Sequence, residues 1–246
     1  MKGDGADVVG HFTARAERYD ASSSWCTDQA LLDLIFASAA VGPEDRVLDL
    51  ACGTGLVSQR FHGRVAELVG VDLTPAMAEQ ARGRLDRFVQ GSAHALPFSD
   101  ASFDAVVCRQ GIQFMDLSLA LPEMVRVLKP GGRLVTADLH AYGPQDAPDY
   151  FEVLRLRNPA RRNFFALGDL DAPLLAAGCS SVSAVRFVSV EDVDAWADNG
   201  AIQDSRRQAI REVYRKAGPE YLALHQAQVG ERIVDHMLFL VTVGVR

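Results

Sequence analysis

Residues 47–55, VLDLACGTG, form an apolar run that ends in Asp49 and breaks into a Gly-x-Gly turn. That order of residue types delivers a tight loop from a buried parallel strand to the start of a helix. Gly53 and Gly55 tolerate positive φ and carry no Cβ, so a ligand can come against the backbone and meet the free N–H groups that open the next helix. A second apolar run, LVGVDLTPAM over residues 68–77, ends in another acid, Asp72. It lies about as far past the glycines as a ribose-binding carboxylate should. The chemistry implied is capture of a nucleotide-like ligand, by a glycine turn on one side and by an acid on its ribose hydroxyls.

Two nucleotide classes use such a strand, loop and acid. The dinucleotide fingerprint has a third glycine three residues after the second, and Ser58 stands there, behind Leu56 and Val57. The string instead resembles the first motif of class I S-adenosylmethionine (SAM) dependent methyltransferases, acid-x-Gly-x-Gly-x-Gly, with Ala51 at the first glycine. GVDLTPAM, then ALPFSDASFDAVV (residues 95–107) and EMVRVLKPGGRLV (residues 123–135) extend the resemblance in order. It covers roughly residues 45–138 and is strongest toward the small-molecule branch of the ubiquinone and menaquinone biosynthesis type. The resemblance implies SAM as cofactor, with Asp49, Ala51, Gly53 and Gly55 in the first loop and Asp72 and Leu73 at the ribose. It places Met77, Ser92 and Ala93 near the adenine, and Arg109 and Gln110 on the loop between the methionine part and the acceptor. Tyr19, with Trp25, belongs to an N-terminal segment, residues 1–43, that folds over the cleft. Met77, Tyr19 and Trp25 are equally well explained by packing. Ser92 replaces the usual acid that accepts from the adenine amino group, which exchanges a charged acceptor for one neutral hydrogen bond of about 1 kcal/mol.

The elements that must position these residues follow from periodicity. A helix is expected over 27–40, capped by Thr27 or Asp28, with Leu31, Leu34, Ile35 and Ser38 toward the sheet. Beyond Gly42-Pro43, strands at 46–51, 66–71 and 87–91 alternate with helices at 56–61 and 75–85. This is the rhythm of a parallel sheet with right-handed crossovers. A fourth strand at 103–108, a helix at 118–128 capped by Ser118, and a fifth strand at 133–139 continue it; a short helix at 169–177 and strands at 181–190 and 234–245 close it. The expected fold is α/β, a doubly wound, mostly parallel seven-stranded sheet with helices on both faces and an antiparallel last strand. The whole chain reads as one domain, with a SAM-binding core at 44–140. Insertions at 141–167 and 191–229 interrupt the order. Their breakers and sparse apolar content suggest a mobile cap over the acceptor cleft.

These insertions are basic, through Arg155, Arg157, Arg161 and Arg162 in the first and Arg207, Arg211 and Arg215 in the second. Guanidinium groups pair with carboxylate or phosphate, so an anionic small-molecule acceptor fits them, and a solvated charged surface fits them too. His140, directly after the fifth strand, is the first candidate for a catalytic base by pKa and position. His225 and His236 come next, His94 suits the adenine side, and His11 and His62 carry no argument. The loop after the fourth strand offers Arg109, Gln110 and Gln113 with Asp138 as the nearby acid. That is a poor oxygen set for a hard cation, and no metal is expected.

The 246 residues are 48% hydrophobic and 23% charged with net charge −7, and the pI of 5.4 speaks against nucleic acid as partner. No apolar segment has spanning length, and the N-terminus lacks an apolar signal core, so no membrane role and a cytoplasmic location are expected. Cys26, Cys52, Cys108 and Cys179 are widely spaced, as reduced thiols are. A monomer or homodimer is the expected state. The main reading is methyl transfer to a small molecule. The alternatives are an enzyme that binds SAM or its product on this fold without transferring methyl, such as a cyclase or decarboxylase, and a non-catalytic subunit.

Overall fold

The structure, a computed structural model, describes residues 4–246, with side chains from Asp7 onward. An N-terminal helix α1 (Asp4–Arg15) runs through a 3₁₀ turn (Ala16–Ala21) into α2 (Ser24–Thr27) and α3 (Gln29–Ala39). The core follows as β1 (Arg46–Leu50), α4 (Ser58–Phe61), β2 (Glu67–Asp72), α5 (Pro75–Ala81), β3 (Arg87–Gln90) and β4 (Phe103–Arg109). A 3₁₀ turn (Ile112–Phe114) then leads to α6 (Leu117–Val127) and β5 (Leu128–Ala141). The distal part is α7 (Ala147–Arg157), β6 (Phe165–Ala166), α8 (Asp171–Ala176), β7 (Ser181–Asp192), α9 (Val193–Ala197), α10 (Asp204–Lys216), α11 (Pro219–Leu224), β8 (Gln228–Val229) and β9 (Ile233–Val245).

The main path of the sheet runs β3-β2-β1-β4-β5-β9-β7, with β6 on β5 and β8 on β9. The first five strands are parallel, and β9 is antiparallel to both β5 and β7. The seven expected strands form this path, and the two extra strands are two-residue pairings inside the insertions. Strand alternation divides the core. Val47, Ala105, Val107, Val135 and Ala137 face one apolar layer, whereas Leu48, Val106, Cys108 and Leu134 face the other.

Three local expectations are corrected. Of the two caps expected for α3, Asp28 is the one used, its Oδ1 accepting from Leu31 N at 3.1 Å, but the fully buried face is Leu31, Leu32, Ile35 and Ala39, with Leu34 only partly buried against the same layer. Asp116, not Ser118, caps α6, accepting from Ser118 N at 3.1 Å. The insertions are not poor in apolar packing. Tyr150, Val153, Leu154, Val193, Trp196, Ile210, Tyr214 and Tyr221 are buried and continuous with the core layer behind β5 and β9. At about 1.5–3 kcal/mol for each large side chain removed from water, this packing opposes the mobility expected from the breakers. No helix among the described residues is long and apolar enough to cross a membrane.

Candidate active site

β1 and β2 end side by side in register, Leu50 opposite Val71, and the chain leaves β1 through a turn that needs left-handed backbone at Ala51 (φ 54°), Gly53 (54°) and Gly55 (80°). Ala51, which stands at the first glycine of the resembled motif, thus adopts the conformation that glycine would take without strain. Asp72 locks this turn to β2: its carboxylate accepts from Gly53 N at 2.9 Å and from Thr74 N at 2.8 Å. Burial pushes its pKa up, while these backbone N–H groups work against that rise. Asp72 itself is only half-buried.

The turn, Asp72 and the ends of β3 and β4 enclose a cleft of about 470 Å³, within the range of a site for a ligand of cofactor size. Of the residues singled out in the sequence, Tyr19, Ala51, Gly53, Asp72, Leu73, Met77, Ser92, Ala93, Arg109 and Gln110 line it. Asp49 and Gly55 do not. Asp49 is buried beneath the turn, where it accepts from Ser58 Oγ at 2.5 Å, and burial raises its pKa to about 7. It acts as a support for the loop. Gly55 is needed for packing, since a Cβ there would lie 3.1 Å from Arg84 Cβ and 3.3 Å from Ala81 Cβ.

The far side of the cleft is built from β4 and its loop. Gln110 adopts φ 54°, a strained position for a side-chain-bearing residue that is kept only where its surroundings hold it. Its Oε1 accepts from Gln113 Nε2 at 2.8 Å, which leaves Gln110 Nε2 a buried donor with no partner. Arg109 is fixed by Cys26 O at 3.0 Å and lies over the Trp25 ring, tying β4 to the N-terminal segment. Gly111 follows because a Cβ there would meet Cys108 Sγ at 2.5 Å and Ala51 Cβ at 2.8 Å. Gly111→Ala is expected to lower stability by about 1–3 kcal/mol through overpacking, read as a lowered urea midpoint at unchanged slope.

Sequence reasoning expected the N-terminal segment over the cleft but did not single out the residues of α1 that form this cover. Val8 and Phe12 of α1 roof the cleft, and Phe12 packs edge-on against Phe114 at 5.2 Å. The same segment is fastened to the glycine turn by Asp20, which accepts from Thr54 Oγ1 at 2.5 Å and from Arg84 Nη1 at 2.9 Å. Also missed is Asp116, a cleft-lining carboxylate from the segment after β4. His94 also lines the cleft, and its Nε2 accepts from Asp116 N at 2.9 Å.

His140 is not brought to the cleft. β5 continues to Ala141 and pairs with β6 there, so the His140 ring stacks on Phe165 at 5.4 Å and is fully buried toward the opposite layer. Burial lowers its pKa to about 4. The expected base is therefore a buried structural histidine, held by Asp138 O at 2.9 Å from Nδ1. His225 is equally remote, buried between Asp146 and Asp235. No group of three or more potential metal-ligating side chains occurs among the described residues.

Behind Gln110 lies a second, much smaller cavity of about 20 Å³, which shares Phe12, Tyr19, Gln110 and Phe114 with the cleft and is closed by Arg157, Arg161 and Trp196 from the insertions. The arrangement is a cofactor-sized cleft with a glycine turn and Asp72 at one end and an aromatic and cationic chamber behind the other.

A methyltransferase-domain family model matches residues 48–136. A demethylmenaquinone methyltransferase from Beutenbergia cavernae is 35% identical over 233 residues, covering 92% of each chain. The uncharacterized methyltransferase YcgJ of Bacillus subtilis is 31% identical over 210 residues, 81% of this chain and 82% of its own. The crystal structure of the YcgJ protein superposes with a TM-score of 0.81 at 27% identity, covering 87% of this chain and 97% of that one. The turn at Ala51 and Gly53 and the half-buried Asp72 fit the ribose and methionine parts of the family's cofactor, and the chain belongs to the class I S-adenosylmethionine-dependent methyltransferases.

Proposed function

We propose that this enzyme methylates a small molecule of quinone-like biosynthesis or secondary metabolism, with the cofactor in the cleft at Asp72 and the acceptor entering beside Tyr19 and Gln110. The observation that carries this is the placement of Gln110 and Tyr19 on the wall shared by the cleft and the rear chamber. The curated relatives named for demethylmenaquinone support the acceptor class. SAM, when bound, supplies a methyl group made electrophilic by its sulfonium. The protein's own residues have three tasks. Asp72 and the Gly53 turn fix the ribose; Phe12 and Phe114 exclude water from the transfer axis; Gln110 Nε2 donates a hydrogen bond that orients an acceptor oxygen. The insertions cap the acceptor side through Leu154, Arg157 and Trp196.

Incubation with methyl-labelled SAM and a panel of hydroquinones, phenols and carboxylic acids tests the reading. Label should pass to one class of acceptor with S-adenosylhomocysteine formed mole for mole. An acceptor consumed with SAM recovered unchanged would move the reading to a cyclase or decarboxylase. Because hard cations need converging oxygen ligands, and none gather here among the described residues, turnover should persist in excess EDTA. Activity abolished by the chelator and restored by magnesium would contradict this.

A further inference from the structure

The basic residues of the insertions divide into two kinds. Arg155 pairs with Glu152 at 2.5 Å, Arg207 with Asp198 at 2.6 Å and Arg215 with Glu212 at 2.6 Å, and Arg211 pairs with Asp194. These are surface charges neutralised by neighbours on or near their own helices. Arg157 and Arg161 point the other way. They are 7% and 9% exposed, they line the chamber behind Gln110, and Arg15 of α1 joins them there at 2% exposed.

None of these three guanidinium groups has an ion-pair partner among the described residues. Arg157 donates to Trp196 O at 3.0 Å and Ser23 Oγ at 3.1 Å. Arg15 donates to Ser22 Oγ at 3.1 Å and, weakly, to His11 Nε2 at 3.5 Å. Arg161 donates to Asn163 O at 2.9 Å, and its Nη2, like Arg15 Nε, is buried with no hydrogen-bond partner. The acids in the neighbourhood offset them only in part, through charge and without an ion pair: Glu191 acts on Arg157 and Asp138 on Arg161. Glu191 already accepts from Ser24 N and Oγ, Trp25 N and Ser189 Oγ, and burial pushes the Asp138 pKa up, which disfavours its negative form, while neither of its oxygens bonds to an arginine.

Three buried cations with no ion-pair partner, resting on aromatic rings around one chamber, carry a large desolvation cost, which native structures retain where an anion completes the group. Burial, with neighbouring Arg15 adding to it, lowers Arg157 to about 9, and burial lowers Arg161 to about 10, the direction expected of cations awaiting a counter-charge. The chamber has room for about one oxygen-sized group, so a carboxylate can set one oxygen inside it, whereas a tetrahedral phosphate is too large. Trp25, Trp196, Phe12 and Phe114 line the remaining wall, so the body joined to that carboxylate is apolar or aromatic.

We infer that the acceptor is a carboxylic acid whose carboxylate docks among Arg15, Arg157 and Arg161, with its apolar body reaching past Gln110 and Tyr19 toward the cofactor cleft. This rests on the methyltransferase reading of that cleft and names the acceptor class within it. Fork-shaped donors match the two carboxylate oxygens, and an amide of the same shape would leave the cations uncompensated.

The test uses protein saturated with S-adenosylhomocysteine and measures benzoate, benzamide and inorganic phosphate by calorimetry, with thermal midpoint as a second readout. Benzoate should bind at least about tenfold more tightly than benzamide, a margin set by charge-assisted bonding, and phosphate should compete poorly. Arg161→Gln should bring the benzoate-to-benzamide ratio close to one while S-adenosylhomocysteine affinity is retained. Arg157→Gln should do the same, and the wild-type acid-to-amide comparison stands even if that variant fails to fold. Equal binding of acid and amide, binding of neither, or a preference that survives loss of the arginine would overturn the inference. Phosphate binding as tightly as benzoate would overturn the carboxylate in favour of a phosphorylated acceptor. Failure of S-adenosylhomocysteine to bind the wild type would instead overturn the cofactor site itself.

Discussion

Asp72→Ala should weaken SAM and S-adenosylhomocysteine binding by at least about tenfold, because a charge-assisted hydrogen bond to ribose contributes about 1.5–3 kcal/mol. The substitution also removes the acceptor for Gly53 N and Thr74 N, so the glycine turn loses its tie to β2 and the cofactor its preformed cradle. Asp72→Asn keeps one acceptor oxygen for the turn but removes the charge, and should fall between the two. Asp49→Asn provides the contrast. That carboxyl lies under the turn and does not line the cleft, so its change should lower stability more than affinity. Equal affinity in Asp72→Ala and wild type, measured calorimetrically, would remove the ribose assignment.

The second large effect lies far from the chemistry. His225 joins three distal segments: Nδ1 meets Asp235 on β9 at 2.8 Å, Nε2 meets Asp146 before α7 at 3.0 Å, and the ring stacks on Tyr221 at 4.1 Å, with all three charged side chains fully buried. Tyr214 of α10 adds a bond to Asp235 at 2.5 Å. Burial alone would lower the His225 pKa; the bonds to Asp146 and Asp235 overcome this and raise it from 6.5 to about 9. A raised pKa in the folded state means stabilisation that is complete below the unfolded value and is lost as pH climbs through the folded one. His225→Ala leaves two buried carboxylates facing an empty site and should cost about 3–5 kcal/mol. The wild-type advantage over this variant in thermal midpoint should shrink between pH 6.5 and pH 9. A variant as stable as wild type at pH 6, or an advantage that grows with pH, would show that the pin carries no such role.

This pin also explains why the insertions could not be judged from sequence. Their breakers and charges are visible in the string, but His225 is held between Asp235 on the next strand and Asp146, 79 positions away, and only the closed fold brings all three together. By contrast, the core was legible because it is local: apolar runs of strand length, glycine turns and capping acids repeat in sequence order, and the strand ends then gather Gly53, Asp72 and Ser92 by topology alone. His140 failed as a base for a reason that no periodicity shows, since β5 runs on to pair with β6 and carries the ring under Phe165. Arg157 could have been found. Tyr150, Val153, Leu154 and Arg157 sit at i, i+3, i+4 and i+7 of one helix face, so the buried apolar stripe of α7 runs straight into the arginine. Arg15 and Phe12 carried no such signal, because the chamber they help to line is completed by residues from distant segments, among them Gln113, Phe114, Arg157 and Trp196.

A crystal structure of the complex with S-adenosylhomocysteine would test the site most directly. The ribose hydroxyls should lie on the Asp72 carboxylate, the adenine along Leu73 and the Ser92–His94 segment, and the sulfur at the Tyr19 and Gln110 end, facing the arginine chamber. Ribose bound away from Asp72, or a sulfur turned from Gln110 toward open solvent, would contradict both the cofactor cradle and the acceptor path built on it.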